Sequence, residues 1–304
     1  MACMMAGQSV KLLNPKQHKK IIKYHMMIHK RVFVLLYLFC GLSVIAQDYE
    51  ILFTQGEQYF QEGRFGDAYF NYSKYLENNP DSVKAYISRG NTLIFLKKVK
   101  EAVYDFDKAI SLDPKSYRAY SGRGTAYTYM QNSEEALKNF NKALELNPKD
   151  VVSMNSLAVI YYGAGNTTKA IELLNKAVKT QPDNVDTYKN RGSILLFSGD
   201  TTGALNDLNT AVELGPNRVD VYNTRGAIYK EMGKFDEAIL DYNKAIELDP
   251  YGAEAYCRLG IAYLQMNDID NAILFMEKGL RNDPSMEAQV KPYLDEAKEK
   301  KKNK

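Results

Sequence analysis

The sequence lacks most of the side chains on which nucleophilic catalysis and zinc binding depend. Its 304 residues include no tryptophan, three histidines and three cysteines; all the histidines and two of the cysteines precede residue 47. Cys257 is therefore the only such side chain in residues 47–304, which excludes a Ser–His–Asp or Cys–His nucleophile there. It also excludes a zinc site of histidines and cysteines. We expect a protein that is not an enzyme and that binds no cofactor and no metal.

Acidic residues are absent from the first 46 positions, where seven basic residues lie. These are Lys11, Lys16, Lys19, Lys20, Lys23, Lys30 and Arg31. Removing these seven from the 40 basic residues leaves 33 against 37 acidic residues, a net charge of −4 for residues 47–304. A segment of that sign has no basis for general nucleic-acid binding, so we expect no nucleic acid as partner.

Residues 32–46 contain no charged side chain and read VFVLLYLFCGLSVIA. A basic start, an apolar middle and a small residue at Ala46 are typical of a signal peptide over 26–46, cleaved before Gln47. Residues 1–25 are then an upstream leader or a start-site overcall, with Met26 or Met27 as the natural start. The sequence predicts an exported protein, periplasmic or secreted, whose mature chain does not insert into a membrane. The alternative is an N-terminal membrane anchor, although the uncharged stretch 32–47 has only 16 residues and falls short of the roughly 20 that a spanning helix needs.

Prolines, alanines and glycines recur every 34 residues through the rest of the chain. The prolines are Pro80, Pro114, Pro148, Pro182, Pro216, Pro250 and Pro284. The alanines are Ala68, Ala102, Ala136, Ala170, Ala204, Ala238 and Ala272. A third series has glycine in six copies and Ala158 in the fourth. Tyr222, Gly226 and Tyr229 illustrate the helical spacing within one unit, and Gly233 separates them from a second apolar stripe.

This unit resembles the tetratricopeptide repeat (TPR) family, whose 34-residue hairpin carries these large, small and proline positions. The resemblance implies an all-α fold: a right-handed α-solenoid of seven tandem helix-turn-helix hairpins over 49–286, with a capping helix and basic tail over 287–304. Val290, Tyr293, Leu294 and Ala297 form the predicted apolar stripe of that last helix, which Pro292 would kink or delay. We expect the lysine-rich end, 298–304, to be frayed and solvated.

The turn inside each hairpin predicts a left-handed residue, which glycine adopts most readily. Five repeats have a suitable residue at this position: Gly63, Gly165, Gly199, Gly233 and Asn267. The other two have Lys97 and Gln131, which depart from the pattern. Four residues that follow the closing prolines are suited to cap the next helix. They are Ser82, Ser116, Asp150 and Asn184.

Two rows of side chains could be taken for ligand sites. The tyrosine row, which we interpret as core, is Tyr86, Tyr120, Tyr188, Tyr222 and Tyr256. The arginine row is Arg89, Arg123, Arg191 and Arg225. Sixteen residues after each arginine stands Asp or Asn, whereas Leu157 and Leu259, which replace the arginine in two repeats, are followed by Leu173 and Phe275. We therefore predict contacts between the two helices of one repeat, and a structural role for the arginines.

The family resemblance implies that positions 2, 5, 9, 12 and 13 of each unit line a concave groove. The candidate groove residues are Lys84, Asn91, Phe95, Arg118, Thr125, Tyr129, Asn155, Tyr162, Asp186, Lys189, Phe197, Asp220, Asn223 and Glu254. The lysine and asparagine set with which one TPR subclass grips a terminal carboxylate is incomplete, because Ile87 and Ser193 interrupt it. We do not expect that ligand.

The position-2 residues change sign along the chain, from Lys84 and Arg118 to Asp186, Asp220 and Glu254. This order predicts that an extended ligand places its acidic part on repeats 2–3 and its basic part on repeats 5–7. The predicted function is a scaffold or adaptor that binds other proteins or extended peptides through the groove. The alternative is a structural, self-associating or membrane-anchored component of a cell-envelope assembly. The sequence does not determine the oligomeric state.

Overall fold

The structure, a computed structural model, describes residues 50–303, and the regular structure in this part is helical. It has fifteen α-helices: α1 (50–61), α2 (Phe65–Asn78), α3 (Val83–Phe95), α4 (Val99–Leu112), α5 (Tyr117–Tyr129), α6 (Ser133–Leu146), α7 (Val151–Gly163), α8 (Thr167–Thr180), α9 (Val185–Phe197), α10 (Thr201–Leu214), α11 (Val219–Glu231), α12 (Phe235–Leu248), α13 (Ala253–Gln265), α14 (Ile269–Asn282) and α15 (Glu287–Lys302). The leader and signal peptide predicted over 1–46 lie outside the described residues.

The helices belong to two compact units, and each is described by itself. The described part of the first unit, 50–98, contains α1, α2 and α3; the second, 99–303, contains α4 to α15. In the first unit, the rings of Phe53, Tyr72 and Tyr75 are buried together, and the Phe53 centroid lies 5.5 Å from that of Tyr72 and 5.3 Å from that of Tyr75. In the second unit, α5 to α14 form five successive hairpins, as the 34-residue period predicts.

The turn between the two helices of a repeat has the same backbone conformation in all seven repeats. The residue at this position has a φ between +57° and +89° at Gly63, Lys97, Gln131, Gly165, Gly199, Gly233 and Asn267. The prediction was wrong for Lys97 and Gln131, which adopt the left-handed conformation although they carry a Cβ. The period and the helices on either side therefore determine this turn more strongly than the local residue does.

The caps that follow the closing prolines are only partly as predicted. Asp150 and Asn184 accept hydrogen bonds from the backbone N–H of Ser153 and Thr187. Ser82 and Ser116 occupy the same position but make no side-chain cap bond. The second helices have their own caps, which the sequence analysis missed, at Asn132, Asn166, Asp200 and Asp268.

Small residues let the two helices of a repeat approach each other. A Cβ on Gly226 would come within 2.7 Å of the Tyr242 ring, which is fully buried. The repeated alanine of the second helix is also fully buried, for example at Ala238. Side chains larger than these would overpack the hairpin, which explains why small residues stand at these positions in every repeat.

The first helices of consecutive repeats lie side by side in the second unit. Contacts join α5 to α7, α7 to α9, α9 to α11, α11 to α13 and α13 to α15, and within the same unit no comparable contacts join consecutive second helices. The stack is therefore tighter along its first helices. The family resemblance predicts the groove along these helices.

The last helix covers the end of the stack. Val290, Leu294 and Ala297 are buried against the seventh repeat, but Tyr293 is 42% exposed and does not belong to this stripe. Pro292 lies inside α15, which begins at Glu287, so the proline does not delay the helix. The lysine-rich end is helical to Lys302, and Lys298 and Lys301 pair with Glu277 and Asp270 of α14. The predicted frayed tail is corrected to a docked one.

Candidate functional site

The arginines of the repeated row are structural wherever the two helices of their repeat lie in one unit. The Arg191 guanidinium donates two hydrogen bonds of 2.7 Å to Asp207, and Arg225 makes the same bidentate contact with Asp241. Arg123 Nε donates to Asn139 Oδ1 at 2.8 Å. These three contacts were predicted. Arg89 and Asp105 fall in different units, so their contact stays a prediction.

Each arginine has a further partner sixteen residues earlier, which the sequence analysis missed. Arg191 Nη1 donates to Asn175 Oδ1 at 2.8 Å and Arg225 Nη1 donates to Asn209 Oδ1 at 2.9 Å. The guanidinium groups of Arg191 and Arg225 thus bridge the second helices of two consecutive repeats. The hydrogen bond to Asp207 raises the pKa of Arg191, and that to Asp241 raises the pKa of Arg225, so both remain cationic.

The tyrosine row takes part in the same arrangement. Each of these arginines lies 5.5–5.8 Å from the ring centroid of the tyrosine three residues earlier, at Tyr86, Tyr120, Tyr188 and Tyr222. The Tyr222 and Tyr256 hydroxyls donate to the carbonyls of Pro216 and Pro250. Both rows are therefore used inside the stack, and the candidate binding residues lie elsewhere.

The repeats without arginine fill the same space with apolar side chains. Leu157 is buried in a cluster that includes Leu173, and Leu259 is buried in a cluster that includes Phe275. The predicted match of polar with polar and apolar with apolar is therefore confirmed in repeats 3 to 7. In the first repeat, Asn71 donates its amide to the backbone carbonyl of Asp67.

Three candidate groove residues belong to the first unit. Lys84 Nζ lies 3.0 Å from Glu50 Oε2 and 4.2 Å from the centroid of the Phe53 ring. Hydrogen bonds from Tyr75 and Lys84 lower the pKa of Glu50. Phe95 is 56% exposed and stacks on Phe65 with a centroid distance of 4.6 Å, and Asn91 is half-buried.

Aromatic candidates are exposed along the first helices of the second unit. Tyr129 is 65% exposed and Phe197 is 71% exposed, and the Tyr162 and Phe197 rings stack with centroids 6.2 Å apart. Arg118 is exposed, with its Nε donating to the Tyr117 hydroxyl at 3.2 Å. The Thr125 hydroxyl instead donates to the backbone carbonyl of Ser121 in its own helix.

A charge network brings together three candidates from repeats 5 and 6. Arg218 donates to both Asp186 and Asp220, and Lys189 Nζ donates to Asp220. Burial acts to raise the pKa of Asp220, but hydrogen bonds from Arg218 and Lys189 outweigh it and lower this pKa below its usual range. Two carboxylates thus face two cations. In repeats 5 and 6, Arg218 and Lys189 therefore neutralise the acidic surface that the position-2 residues predicted over repeats 5–7. The sequence analysis did not take Arg218 into account.

A cavity of about 330 Å³ lies between repeats 4 and 5. Asn155, Asp186 and Lys189 line it, together with Val152 and Val159. Asn155 is 8% exposed, and its Nδ2 donates to Thr187 Oγ1 at 2.9 Å. The acidic and the basic side chain balance each other in this lining.

A larger cavity of about 710 Å³ lies between α11, α13 and α15. It contains the last two candidates, Asn223 and Glu254, which share the lining with Tyr251, Cys257 and Tyr293. Burial raises the pKa of the Cys257 thiol to about 11, so this cysteine is protonated at neutral pH and is a poor nucleophile. Over 50–303 no cluster of three or more His, Cys, Asp or Glu side chains is placed to hold a metal ion, and none of the described helices combines the length and the apolar character that crossing a membrane requires.

The helical hairpins, the left-handed turns and the small-residue contacts define a helical repeat protein. Models of the TPR repeat and the tetratricopeptide repeat match residues 83–116, 117–150, 139–172, 226–267 and 253–286. The chain belongs to the tetratricopeptide repeat family. A comparison with curated proteins gives no match.

Solved structures with the same fold include three TPR proteins. Cut9, from the Cut9–Hcn1 hetero-tetramer of the APC/C, has a TM-score of 0.70 at 18% identity, covering 80% of this chain and 48% of Cut9. A TPR protein from Parabacteroides merdae has a TM-score of 0.62 at 20% identity, covering 83% and 99%. Yeast Tom70 has a TM-score of 0.60 at 25% identity, covering 84% and 54%. The chain thus spans about half the length of Cut9 and of Tom70.

Proposed function

We propose that this protein is a non-enzymatic, exported adaptor that binds extended segments of other proteins along its first helices. The observation that carries the proposal is the exposure of large aromatic side chains on that face, at Tyr129 and Phe197. Exposed aromatic rings on a rigid surface are the usual anchors of protein interfaces. The arginine and tyrosine rows are used inside the stack, so they are not available to a partner, whereas Tyr129 and Phe197 are. Cut9, which forms a hetero-tetramer with Hcn1, supports the same class of role.

Charge reversal on the groove tests the adaptor proposal. The full-length protein carrying Lys84→Glu and Arg118→Glu should capture less partner protein from an envelope extract than the wild type, and the capture should weaken as salt is raised. The control carries Lys138→Glu and Lys176→Glu, which make the same charge change on second helices. Equal capture by all three proteins, with unchanged circular dichroism, would contradict binding along the first helices.

Export is a separate part of the proposal, supported by the basic and apolar pattern of residues 27–46. N-terminal sequencing of the protein made in its native cells should find Gln47 first. A mature chain that retains 32–46 would contradict cleavage and would favour the anchored form.

A second candidate function is a self-associating component of an envelope assembly. It is favoured by two exposed leucines 34 residues apart on the second helices of repeats 6 and 7, Leu240 at 69% and Leu274 at 52% exposure. Sedimentation velocity over a range of concentrations distinguishes the two functions. Association that Leu240→Glu abolishes would favour the self-associating function. A protein that is monomeric at all concentrations would favour the adaptor function.

A further inference from the structure

The helix α7 differs from the other helices in its charge. Its sequence, VVSMNSLAVIYYG, contains no charged side chain, whereas every other α-helix of the described residues contains at least one. Two of its valines are nevertheless exposed, Val152 at 56% and Val159 at 50%. They stand seven residues apart and therefore lie on one face of the helix. The exposed face of α7 is thus apolar, where a helix at a protein surface usually has polar side chains.

This face adjoins the smaller cavity, of about 330 Å³, between repeats 4 and 5. Val152, Asn155 and Val159 line the cavity from α7, and Asp186 and Lys189 line it from α9. Its volume lies at the lower end of the range for ligand pockets. The two charged side chains form an ion pair, with Lys189 Nζ 3.6 Å from Asp186 Oδ1. A ligand there would meet an apolar wall and no unbalanced charge.

The same lining contains a buried hydrogen-bond acceptor. The Asn155 side chain is 8% exposed and donates to Thr187, but its carboxamide oxygen has no partner among the described residues. The Asn223 oxygen, at the same position two repeats later, is also unpaired and belongs to the larger cavity. An unpaired oxygen therefore does not distinguish the two cavities. Their linings do, because Glu254 and Arg258 bring charge to the larger cavity, whereas apolar side chains flank Asn155.

The charges on the two sides of α7 differ. Arg118, at the second position of the preceding repeat, is exposed, and its only partner among the described residues is Tyr117. Asp186, at the second position of the following repeat, is compensated by Arg218 at 2.7 Å. The uncompensated charge beside Val152 is therefore positive, and it would attract an acidic group of a ligand.

We propose that the exposed face of α7 and the smaller cavity bind an extended, apolar segment of a partner protein that also contains an acidic residue. An apolar side chain of the segment packs between Val152 and Val159, and a backbone N–H donates to the Asn155 oxygen. The acidic residue pairs with Arg118. Packed helices lie about 8–10 Å apart and an extended chain advances about 3.3 Å per residue, so the acidic residue should stand about three positions from the apolar one.

The inference rests on the proposed adaptor function and assigns one site and one ligand class to it. The ligand class is tested with a phage-displayed library of random dodecapeptides, selected on the purified full-length protein and on immobilised serum albumin. Peptides enriched on the protein should share an apolar residue with Asp or Glu about three positions away.

Labelled copies of the enriched peptides then test the apolar face. They should bind Val159→Lys about tenfold more weakly than the wild type, because an ammonium group then stands where the apolar side chain is buried. The matched control is Leu240→Lys, a similar change at a 69% exposed residue of a second helix, which should leave the affinity unchanged. Both positions are exposed, so the circular dichroism of both variants should be that of the wild type.

Two asparagine variants decide between the two cavities. Asn155→Ala removes the proposed acceptor and should weaken peptide binding about three- to tenfold, the loss expected for one hydrogen bond. Asn223→Ala removes the equally unpaired carboxamide of the larger cavity and should leave the affinity unchanged. Weaker binding to Asn223→Ala, with unchanged binding to Asn155→Ala, would overturn the site.

Charge reversal tests the acidic residue of the ligand. Arg118→Glu should weaken binding about threefold, as expected for the loss of one exposed ion pair. A peptide in which lysine replaces the acidic residue should bind this variant better than the original peptide does. If the variant binds the original peptide and its lysine form equally well, the pairing with Arg118 is wrong.

The remaining outcomes distinguish this inference from the adaptor proposal. Peptides that bind Val159→Lys as tightly as the wild type, but bind the Lys84→Glu and Arg118→Glu variant more weakly, would overturn the site and leave the adaptor proposal intact. Enriched peptides without the apolar and acidic pair would overturn the ligand class. Failure to enrich any peptide over albumin would overturn the inference and would count against the adaptor as well.

Discussion

Repeats 5 and 6 join their two helices through an arginine and an aspartate, whereas repeats 4 and 7 use two apolar side chains at the same positions. The Arg191–Asp207 and Arg225–Asp241 pairs are nearly buried, and so are Leu157 and Leu259. The same backbone thus accepts either chemistry, provided that both partners change together. The 34-residue period determines where the two helices meet. The pair of residues at that point determines whether the contact is an ion pair or an apolar one.

The largest effect is expected when only one partner of the ion pair is changed. Arg225→Leu leaves the Asp241 carboxylate, a residue 4% exposed, without its bidentate partner. Breaking a buried pair in this way lowers the free energy of unfolding by about 3–5 kcal/mol. Urea unfolding followed by circular dichroism measures the loss.

The double variant Arg225→Leu with Asp241→Leu reproduces the apolar pair of repeat 4 and should recover all but about 1 kcal/mol of that loss. The control is Arg258→Leu, which removes an exposed pair with Glu254 and should cost about 0–1 kcal/mol. A double variant as unstable as the single one would show that repeats 4 and 6 are not interchangeable at this contact.

The repeated row shows how far sequence comparison inside one chain can go. A shift of 34 residues located the hairpins, and a shift of 16 found the partners of Arg123, Arg191 and Arg225. A shift of 32 would have shown that Ala255 leaves Asn223 without the partner that Thr187 gives Asn155. That signal was available in the sequence, but its meaning depends on knowing that neighbouring first helices touch.

Other features could not be predicted because they belong to one repeat only. Arg218 lies just before α11 and pairs with Asp186 and Asp220 on two different helices. The other described repeats have no arginine at the equivalent position. The exposure of Tyr293 depends on how α15 is rotated about its axis against the seventh repeat. The apolar pattern did not determine whether Tyr293 or only its neighbour Leu294 faces that repeat. Non-repeated side chains are therefore where the candidate site was least predictable.

A smaller effect is expected at the other contrast between equivalent repeats, Asn155 with Thr187 against Asn223 with Ala255. Ala255→Thr should be more stable than Ala255→Val by about 1 kcal/mol, the net contribution of one buried hydrogen bond. Thermal unfolding of the two variants side by side checks this value. A valine variant that is the more stable would mean that the Asn223 carboxamide does not accept the internal partner.

The smallest effect is expected at the turns, where Gln131 and Gly233 adopt the same left-handed conformation with φ of 57° and 72°. A residue with a Cβ costs about 1–2 kcal/mol there, whereas glycine costs about 0.5–1 kcal/mol through the entropy of the unfolded chain. Gln131→Gly should therefore raise the free energy of unfolding by about 0.5–1 kcal/mol, and Gly233→Ala should lower it by a similar amount. Gln131→Ala is the control, because it keeps the Cβ and should give no gain in urea unfolding. Equal midpoints for the glycine and alanine variants would mean that the third repeat stores no strain at its turn, and that its glutamine is as well suited to the position as the glycine of the sixth.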